Sequence, residues 1–395
     1  MKFCLINSLY FPFNLGGAER VVQLIARGLL NCGQTVIVIT SQITNQQKEF
    51  EEKEGLNIYR VKPRNIYSYL EASNMPDWQR VIWHFFDLFN FITAKKIAGI
   101  LKKENPDFVF THNLKSLSYL IPRAINHLGI KHIHTLHDYQ LIDPHGSLYR
   151  QNHNLTRLPL SLKIYSAICR RLFAQVDLVI SPSQYVLNKH LANGFFQKTK
   201  QVVLPNPVIL PESSINHHSA DKVRLLYLGQ IEEHKGVRFL IQAFTTYHRD
   251  DFELHIVGDG SLLNELRLIT SDPRIKFYGR IESEKLTDIF KQVDLTVIPS
   301  LWWDNSPTVI YESYAYQIPV LVSDAGGSQE LVKPGKTGYI FKSGNQGDFI
   351  ANLDKIAQNR ANLAKFGALG YDFIQKYQLK HYINILLGIC WELKK

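Results

Sequence analysis

The sequence of 395 residues contains only four cysteines, Cys4, Cys32, Cys169 and Cys390, and they lie far apart. Without a Cys-x-x-Cys pair or a dense cysteine pattern, neither a disulfide framework nor a cysteine zinc site is expected. This cysteine usage is typical of a reducing compartment, so the sequence predicts a cytoplasmic protein.

Long hydrophobic runs are also missing. The most hydrophobic segment, residues 81–92, is interrupted by His84, Asp87 and Asn90, whereas a membrane-spanning helix needs roughly 18 apolar residues in succession. The sequence therefore argues against an integral membrane protein. Low-complexity tracts and repeats at solenoid spacing are absent as well, which excludes fibrous and repeat architectures.

Negative charge is scarce in the first half of the chain. Residues 1–200 carry 24 Lys and Arg against 13 Asp and Glu, a net charge of +11, while the remaining residues carry a net −1. This asymmetry favours an anionic surface or substrate as a partner of the first half, although a solvated basic face would have the same composition.

Apolar runs alternate with amphipathic segments along the whole chain, which predicts α/β architecture with parallel sheets. The predicted strands are 2–6, 35–40, 108–111, 131–136, 178–181, 223–228, 252–257, 275–278, 295–298 and 320–322. Prolines and serines interrupt the pattern between Leu204 and Asp221. We therefore predict two doubly wound, Rossmann-like domains, residues 1–205 and 206–375, that face an interdomain cleft, followed by a terminal helix within residues 376–395 that returns to the first domain.

Two adjacent glycines, Gly16 and Gly17, lie between the first predicted strand and the first predicted helix. Glycines at a helix N-terminus allow backbone N–H groups to approach a phosphate or a sugar, although a turn can need them for its backbone angles alone. The loop is too long for a dinucleotide fingerprint, and no Gly-x-Gly-x-x-Gly occurs, which disfavours a dehydrogenase.

The segment 299–330 is the richest in polar side chains. Within it, Asp304 and Ser306 precede a predicted helix, residues 308–315, that carries Glu312. A carboxylate in the first turns of a helix can accept two ribose hydroxyls, and the helix start favours phosphate. Taken singly, Asp304 would be a helix cap and Glu312 a solvated residue. Their joint placement favours nucleotide binding.

These motifs and several others together resemble those of the family 4 retaining glycosyltransferases of the GT-B fold, over nearly the whole chain. The motifs are Gly16-Gly17, Gly229 through Lys235-Gly236, Gly258-Asp259-Gly260, Pro299-Ser300, and an acid separated by seven residues from Glu312. The resemblance implies transfer of a sugar from a UDP or GDP type donor to a saccharide or lipid-linked saccharide, in surface polysaccharide or glycolipid biosynthesis. It implies no cofactor.

The resemblance also implies roles for individual residues. Lys235 would bind the diphosphate and Glu312 the ribose. Asp304 would hold hydroxyls of the donor sugar, and His112 would be the active-site histidine. Further donor-site residues would be Gly16, Gly17, Gln230, Gly258, Tyr278, Arg280, Ser306, Pro307 and Thr308, with residues 278–281 forming the base pocket. The acceptor would lie beside His137 and Asp138.

The sequence departs from the family pattern at two positions. Asp304 stands where the family has Glu, so its carboxylate reaches one methylene less far, which bears on sugar choice. Gln230 stands where an arginine usually precedes the phosphate lysine. Losing a bidentate cation weakens diphosphate stabilisation unless Arg238 or Arg280 replaces it.

Three histidines, His132, His134 and His137, form a His-x-His-x-x-His pattern that could indicate a metal site. We expect no metal there, because two of them share one strand face and His137 lies in a turn, where a hydrogen-bonding role is favoured. No Asp-x-Asp motif occurs, so we also expect no metal on the diphosphate.

Residues 78–96 show the apolar spacing of an amphipathic helix. The apolar positions are Trp78, Ile82, Phe85, Phe89 and Ile92, with Arg80, Lys95 and Lys96 around them. The pattern is slightly more typical of a core helix than of a helix that contacts a membrane or a lipid acceptor. The basic stretch 157–171 leaves the same two alternatives open, and nucleic-acid binding is disfavoured because no recognised module accompanies the charge.

Two other functions remain open from the sequence. A nucleotide-sugar epimerase can share this architecture, and would convert a free nucleotide sugar without an acceptor. A non-catalytic nucleotide-sugar-binding protein is the second, because Gln230 and Asp304 depart from the family pattern.

Overall fold

The computed structural model describes residues 1–13, 16–67, 75–211, 221–282 and 285–395. These residues form two compact units. The first contains Met1–Gly146, Arg157–Pro207 and Leu379–Lys395, and the second contains Ser147–Thr156 and Val208–Gln378. Ser147–Thr156, which we expected in the first domain, therefore belongs to the second unit. Part of the predicted linker, residues 212–220, lies outside the described residues.

Most elements alternate between strand and helix. The strands are β1 Lys2–Ile6, β2 Thr35–Ser41, β3 Phe50–Lys53, β4 Leu56–Val61, β5 Phe108–Thr111, β6 Lys131–Thr135, β7 Tyr149–Arg150, β8 His153–Asn154, β9 Leu178–Ser181, β10 Lys200–Val203, β11 Val223–Leu228, β12 Phe252–Val257, β13 Ile275–Gly279, β14 Leu295–Ile298, β15 Val320–Ser323 and β16 Gly338–Phe341. The helices are α1 Gly17–Asn31, α2 Asp77–Leu88, α3 Phe91–Glu104, α4 Ile121–His127, α5 Leu160–Leu172, α6 Gln184–Ala192, α7 Val237–Thr245, α8 Leu263–Ile269, α9 Leu286–Phe290, α10 Thr308–Ala315, α11 Gln346–Gln358, α12 Ala361–Ile374 and α13 Leu379–Lys394.

The first unit is built on an eight-stranded sheet with the order β10-β9-β6-β5-β1-β2-β4-β3. Its strands pair in parallel except for β3 and β4, which form an antiparallel edge. Strands β1, β2 and β5 are nearly continuous apolar runs, as expected where helices cover both faces of a parallel sheet.

Helix α13 completes the core of the first unit. Its side chains Ile383 and Leu386 are almost fully buried in the same cluster as Val22 and Ile25 of α1. The final helix of the chain therefore buries its apolar stripe on the first unit.

The predicted helix over residues 78–96 is two helices, α2 and α3. The break occurs because the Asn90 side chain accepts a hydrogen bond from the Thr93 N–H at 3.0 Å and caps α3. The expectation that the apolar stripe faces the core is wrong, since Trp83 and Leu88 are the buried apolar side chains of α2. The exposed ones, called here the α2–α3 surface, are Trp78, Val81, Ile82, Phe85, Phe86, Phe91 and Ile92.

No helix among the described residues combines the length and the apolarity that a membrane crossing requires.

Asp87 lies on the buried side of α2, with 1% of its surface exposed. Its Oδ1 has no hydrogen-bond partner among the described residues. Burial raises the pKa of this carboxyl to about 7, although a hydrogen bond from the Ser116 backbone and the charge of Lys115 oppose the rise. The folded protein therefore holds a proton here at a pH where the unfolded chain, with a pKa of about 3.9, has released it.

We expect Asp87→Asn to weaken the pH dependence of stability. Because the folded-state pKa is raised, the contribution of this carboxyl to the free energy of unfolding falls as pH rises between about 4 and 7. Between about pH 5 and about pH 8, the free energy of unfolding of the asparagine variant should fall by about 3 kcal/mol less than that of wild type. Each pKa unit corresponds to about 1.4 kcal/mol. Urea denaturation at the two pH values measures this, and identical losses in both proteins would refute it.

The second unit is built on a six-stranded parallel sheet with the order β13-β12-β11-β14-β15-β16. Its core unites strand residues such as Leu225, Leu254 and Leu295 with Leu240 of α7 and Phe349 of α11, all fully buried. The separate antiparallel pair β7–β8 also belongs to this unit.

Candidate active site

The strand order of the second sheet reverses between β11 and β14, which are direct neighbours. Lys235 ends a short 3-10 helix that follows β11, and Asp304 lies in the loop that follows β14. Because the two strands are parallel, the loops that follow them leave the same edge of the sheet. Open α/β sheets bind their ligands at this position.

Lys235 and Asp304 form an ion pair there, with 2.8 Å between Lys235 Nζ and Asp304 Oδ2. Ser300 Oγ donates to the same carboxylate oxygen at 3.0 Å, and the Asn305 N–H donates to Oδ1 at 3.0 Å. The Lys235 side chain is 23% exposed and that of Asp304 only 8%. The carboxylate is therefore enclosed by protein, whereas the ammonium can present further donors to a ligand.

The surroundings keep Asp304 ionised. Burial by itself would raise the pKa of this carboxyl, but the charge of Lys235 and the hydrogen bonds from Lys235 and Ser300 hold the pKa below its ordinary value. Burial and the neighbouring Lys235 ammonium lower the pKa of His234 to about 4. At neutral pH the site contains one cation and one anion beside a neutral imidazole.

Trp302 was not among the predicted site residues. Its ring centroid lies 4.8 Å from Lys235 Nζ, a cation–π distance. The backbone N–H groups of Leu301 and Trp302 both donate to the His234 carbonyl, at 2.9 and 3.2 Å. The loop after β14 is therefore hydrogen-bonded to the residue that precedes Lys235.

Two glycines are required by close backbone contacts around this site. Gly236 has φ +75°, and a Cβ at this position would lie 1.9 Å from the Pro299 carbonyl oxygen. Gly258 has φ +146°, and its Cβ would lie 1.8 Å from the Gly229 carbonyl oxygen. Any side chain at either position would displace the loops that follow β11, β12 and β14.

Helix α10 begins at Thr308, with Pro307 as its N-cap residue, so Asp304 is not the helix cap. Ser306 lies just before the helix, as predicted, and shares a 2.7 Å hydrogen bond with the Tyr311 hydroxyl. Glu312 is half-buried in the second turn of the helix.

The predicted base-pocket residues, 278–281, lie at the carboxyl end of β13 and directly after it. The Tyr278 side chain is 40% exposed, stacks on His255 and shares a 3.0 Å hydrogen bond with its Nδ1. Arg280 is exposed. Both residues lie at the carboxyl end of their strand, the same edge as Lys235.

Gln230, which stands at the family's arginine position, is exposed, and its backbone carbonyl accepts from the Tyr227 hydroxyl at 2.5 Å. Arg238, one of the two suggested replacements, donates to Glu233 at 2.9 Å and to both oxygens of Glu265 at 2.8 and 3.0 Å. Two carboxylates therefore already neutralise Arg238.

The first sheet reverses its strand order between β1 and β5. Gly16 and Gly17 follow β1 at the start of α1, and His112 follows β5, so these candidates lie at the equivalent edge of their own sheet. The Gly16 N–H donates to Glu19 Oε2 at 2.9 Å. Because that amide already has an acceptor, anion binding at this turn would use the amides of the first helical turn. Residues 14 and 15 of the loop lie outside the described residues.

His112 is fully buried and shares a 2.9 Å hydrogen bond between its Nδ1 and His137 Nε2. Burial and the neighbouring His137 keep the pKa of His112 well below its ordinary value, and burial lowers that of His137 to about 4. Both rings are therefore neutral at pH 7, so one donates to the other. The second nitrogen of His112, Nε2, is buried without a partner among the described residues, which is unusual for a polar atom.

The other histidines of the His-x-His-x-x-His pattern face a hydroxyl. His132 Nε2 and His134 Nδ1 lie 2.6 and 2.9 Å from Thr111 Oγ1. The described residues contain no group of three or more His, Cys, Asp or Glu side chains placed to hold a metal ion. Asp138, beside His137, accepts from the Gln140 N–H at 2.8 Å, and burial raises its pKa to about 6.

Two family models match the chain in succession. The model described as Glycosyltransferase Family 4 matches residues 15–210, and the model described as Glycosyl transferases group 1 matches residues 211–373. The chain belongs to the family 4 glycosyltransferases. The order of the two matches agrees with the motif order in the sequence, and the predicted α/β fold with two largely parallel sheets is confirmed.

Similar proteins support this assignment over nearly full length. An uncharacterized 42.6 kDa protein in the cps region of Klebsiella pneumoniae is 28% identical over 84% of this chain and 87% of its own. Sucrose-phosphate synthase from Thermosynechococcus elongatus has a TM-score of 0.79 at 15% identity, covering 100% of this chain and 99% of its own. Anabaena HepE in complex with UDP-glucose has a TM-score of 0.70 at 15% identity, and the match covers 99% of this chain and 100% of the HepE chain. The glycosyltransferase has the GT-B fold.

Proposed function

We propose that this glycosyltransferase moves a sugar from a nucleoside diphosphate donor to a saccharide or lipid-linked saccharide, with retention of anomeric configuration. The observation that carries the proposal is the Lys235–Asp304 pair where the second sheet reverses its strand order. A partly exposed ammonium at this position suits a diphosphate. The similarity to a protein of a cps region supports a role in surface polysaccharide or glycolipid biosynthesis.

The second unit would bind the donor. Lys235 would contact the diphosphate, with the amides at the start of α10 directed at the same charge. The carboxylate of Glu312 would accept the ribose hydroxyls, and Tyr278 with Arg280 would contact the base. The binding of UDP-glucose by HepE favours a UDP donor over a GDP donor.

The first unit would contribute His112 and Gly17 to the donor sugar and phosphates, and Asp138 to the acceptor. The unpartnered Nε2 of His112 suits a sugar hydroxyl, which can donate to it or accept from it. His137 would act through His112, because its Nε2 is already bonded to that ring.

In the reaction, the bond between the anomeric carbon and the diphosphate oxygen breaks, and a bond to the acceptor oxygen forms on the same face of the sugar. The acceptor proton passes to an oxygen of the departing phosphate. Lys235 and the N-terminus of α10 stabilise the negative charge that develops on the diphosphate. These two groups supply the electrostatic role that a divalent metal has in other transferases, so we propose that none is required.

A thermal-shift panel with UDP, GDP, ADP and their sugars, all in chelator, tests the proposal. Because a ligand that binds only the native state stabilises it by about 2.7 kcal/mol at one hundred times its Kd, one nucleotide class should raise the melting temperature clearly. No shift with any nucleotide, or a shift only after manganese or magnesium is added, would contradict the proposal. Conversion of the free nucleotide sugar without an acceptor would instead indicate an epimerase.

We further propose that the protein acts at the cytoplasmic face of a membrane, where the α2–α3 surface contacts the lipid. Seven apolar side chains of this surface are exposed by 40% or more. The first 200 residues carry a net charge of +11. Nearby, Lys95 is exposed, whereas Lys96 is paired with Glu49 at 3.1 Å. Each cation near an anionic leaflet contributes about 1 kcal/mol, and a buried phenylalanine contributes about 2 kcal/mol.

Sedimentation with anionic liposomes tests this contact. We expect wild-type protein to bind at low salt and to be released as salt rises, because screening shortens the reach of the charges to about 8 Å at physiological ionic strength. Phe85→Ser combined with Phe86→Ser should reduce the bound fraction several-fold. The control Leu268→Ser alters a side chain of the second unit that is 87% exposed, and should leave binding unchanged. Equal binding of neutral and anionic vesicles would contradict electrostatic docking.

A further inference from the structure

The hairpin β7–β8 is an excursion from the first half of the sequence that belongs to the second unit. Its turn residues Gln151 and Asn152 have φ of 49° and 63°, the geometry of a type I′ turn. Sequence periodicity does not predict this element, because its two strands are short and polar.

The side chain of Asn154, in β8, hydrogen-bonds the loop that follows β14. Its Nδ2 donates to the Leu301 carbonyl at 2.8 Å, and its Oδ1 accepts from the Trp303 N–H at 3.2 Å. One amide therefore pairs with a donor and an acceptor on either side of Trp302. Leucine, whose side-chain heavy atoms are branched in the same way, could make neither bond.

The same loop is also hydrogen-bonded to the short 3-10 helix Glu233–Lys235. The Leu301 and Trp302 N–H groups donate to the His234 carbonyl, and Asp304 donates its N–H to the Trp302 carbonyl at 2.8 Å. The loop is therefore fixed both by the residue before Lys235 and by Asn154.

We propose that Asn154 is a positioning residue for the diphosphate site. It holds the backbone of residues 301–303 so that the Trp302 ring and the Asp304 carboxylate keep the Lys235 ammonium in one orientation. Without Asn154, one backbone donor and one backbone acceptor lose their partner, and the loop that carries both contacts relaxes. This inference rests on the proposed function of Lys235 as the diphosphate ligand.

Isothermal titration with UDP tests the proposal in Asn154→Ala and Asn154→Leu. Both variants should bind UDP about tenfold more weakly than wild type, which corresponds to the loss of about one to two hydrogen bonds. The control His153→Ala alters the neighbouring exposed residue of the same strand and should bind as wild type does. A circular dichroism melt of each variant confirms that the protein titrated is folded.

The second arm repeats Asn154→Leu in a Lys235→Ala background. If Asn154 acts through Lys235, its substitution should change UDP affinity less than twofold there, because interacting positions are not additive. A tenfold loss in both backgrounds would show a general structural role and overturn the proposal. Wild-type affinity in both single variants would overturn it as well. If wild-type protein bound neither UDP nor any other nucleoside diphosphate, the proposed function itself would fail.

Discussion

Lys235→Ala should lower turnover at least about 100-fold, while the protein remains folded. Removing one preorganised group that stabilises transition-state charge typically costs a factor of about 100 to 1,000. The substitution also leaves Asp304 buried without its cation, since the two side chains form a 2.8 Å ion pair. An uncompensated carboxylate beside the diphosphate would repel it. Steady-state transfer assays with saturating donor measure the effect.

The matched control is Lys333→Ala. Lys333 is an exposed lysine of the same unit whose ammonium lies 5.2 Å from the Phe373 ring, outside the loops of the site. It should retain nearly full turnover. Equal losses in the two variants would mean that Lys235 has no special role.

Glu312→Gln should reduce kcat/KM by about 10- to 150-fold with little change in stability. The glutamine removes the negative charge and one acceptor position of a group expected to bind two ribose hydroxyls, and charge-assisted hydrogen bonds contribute about 1.5–3 kcal/mol. The side chain is half-buried on α10, so its shape can be kept without a packing defect. The measurement is kcat/KM with a ribonucleotide donor and with its deoxyribose analogue, which lacks one of the hydroxyls that Glu312 is expected to bind.

For Glu312→Gln the two donors should differ less than they do for the wild type. Glu330→Gln, at an exposed position outside α10, serves as the control and should behave as wild type. Unchanged kinetics in Glu312→Gln would show that Glu312 does not bind the ribose of the donor.

The fold was largely predictable because buried parallel strands are continuous apolar runs. Strands β1, β5, β9, β11, β12 and β14 begin and end where the apolar runs do. Strands β3, β4, β7, β8, β10 and β16 were not predicted. Of these, β3, β7 and β8 are short and rich in polar residues, for example Phe50–Lys53 with its three charged side chains at the sheet edge. Their pairing depends on neighbours that sequence periodicity does not show.

The orientation of α2 illustrates a second limit. Apolar spacing identifies the helical stripe, but it does not show whether the stripe faces the core or solvent. On α2, Trp83 and Leu88 point inward while Phe85 and Trp78 are exposed. The amino-acid composition of the helix is the same whether its apolar side chains face the core or solvent.

The sequence motifs predicted where the site residues lie relative to the strands, but not which of them contact each other. The motifs placed Lys235 and Asp304 in the loops after two strands, yet their ion pair depends on β11 and β14 being neighbours. The same holds for His112 and His137, which are 25 residues apart in sequence. Asn154 was not predictable, because its hydrogen bonds join segments separated by nearly 150 residues.

The anomeric configuration of the sugar released or transferred from a UDP-sugar donor shows whether the enzyme retains that configuration. The reaction of an α-linked donor is followed by proton NMR from its first minutes, in the presence of chelator. Early spectra distinguish the two anomers of the product before mutarotation interconverts those of a released sugar. We predict an initial α-configured product at a rate that added magnesium leaves unchanged, and formation of that product at least about 100-fold more slowly by Lys235→Ala. An initial β-configured product would show inversion instead of retention, and turnover that appears only with metal would show that a metal is required.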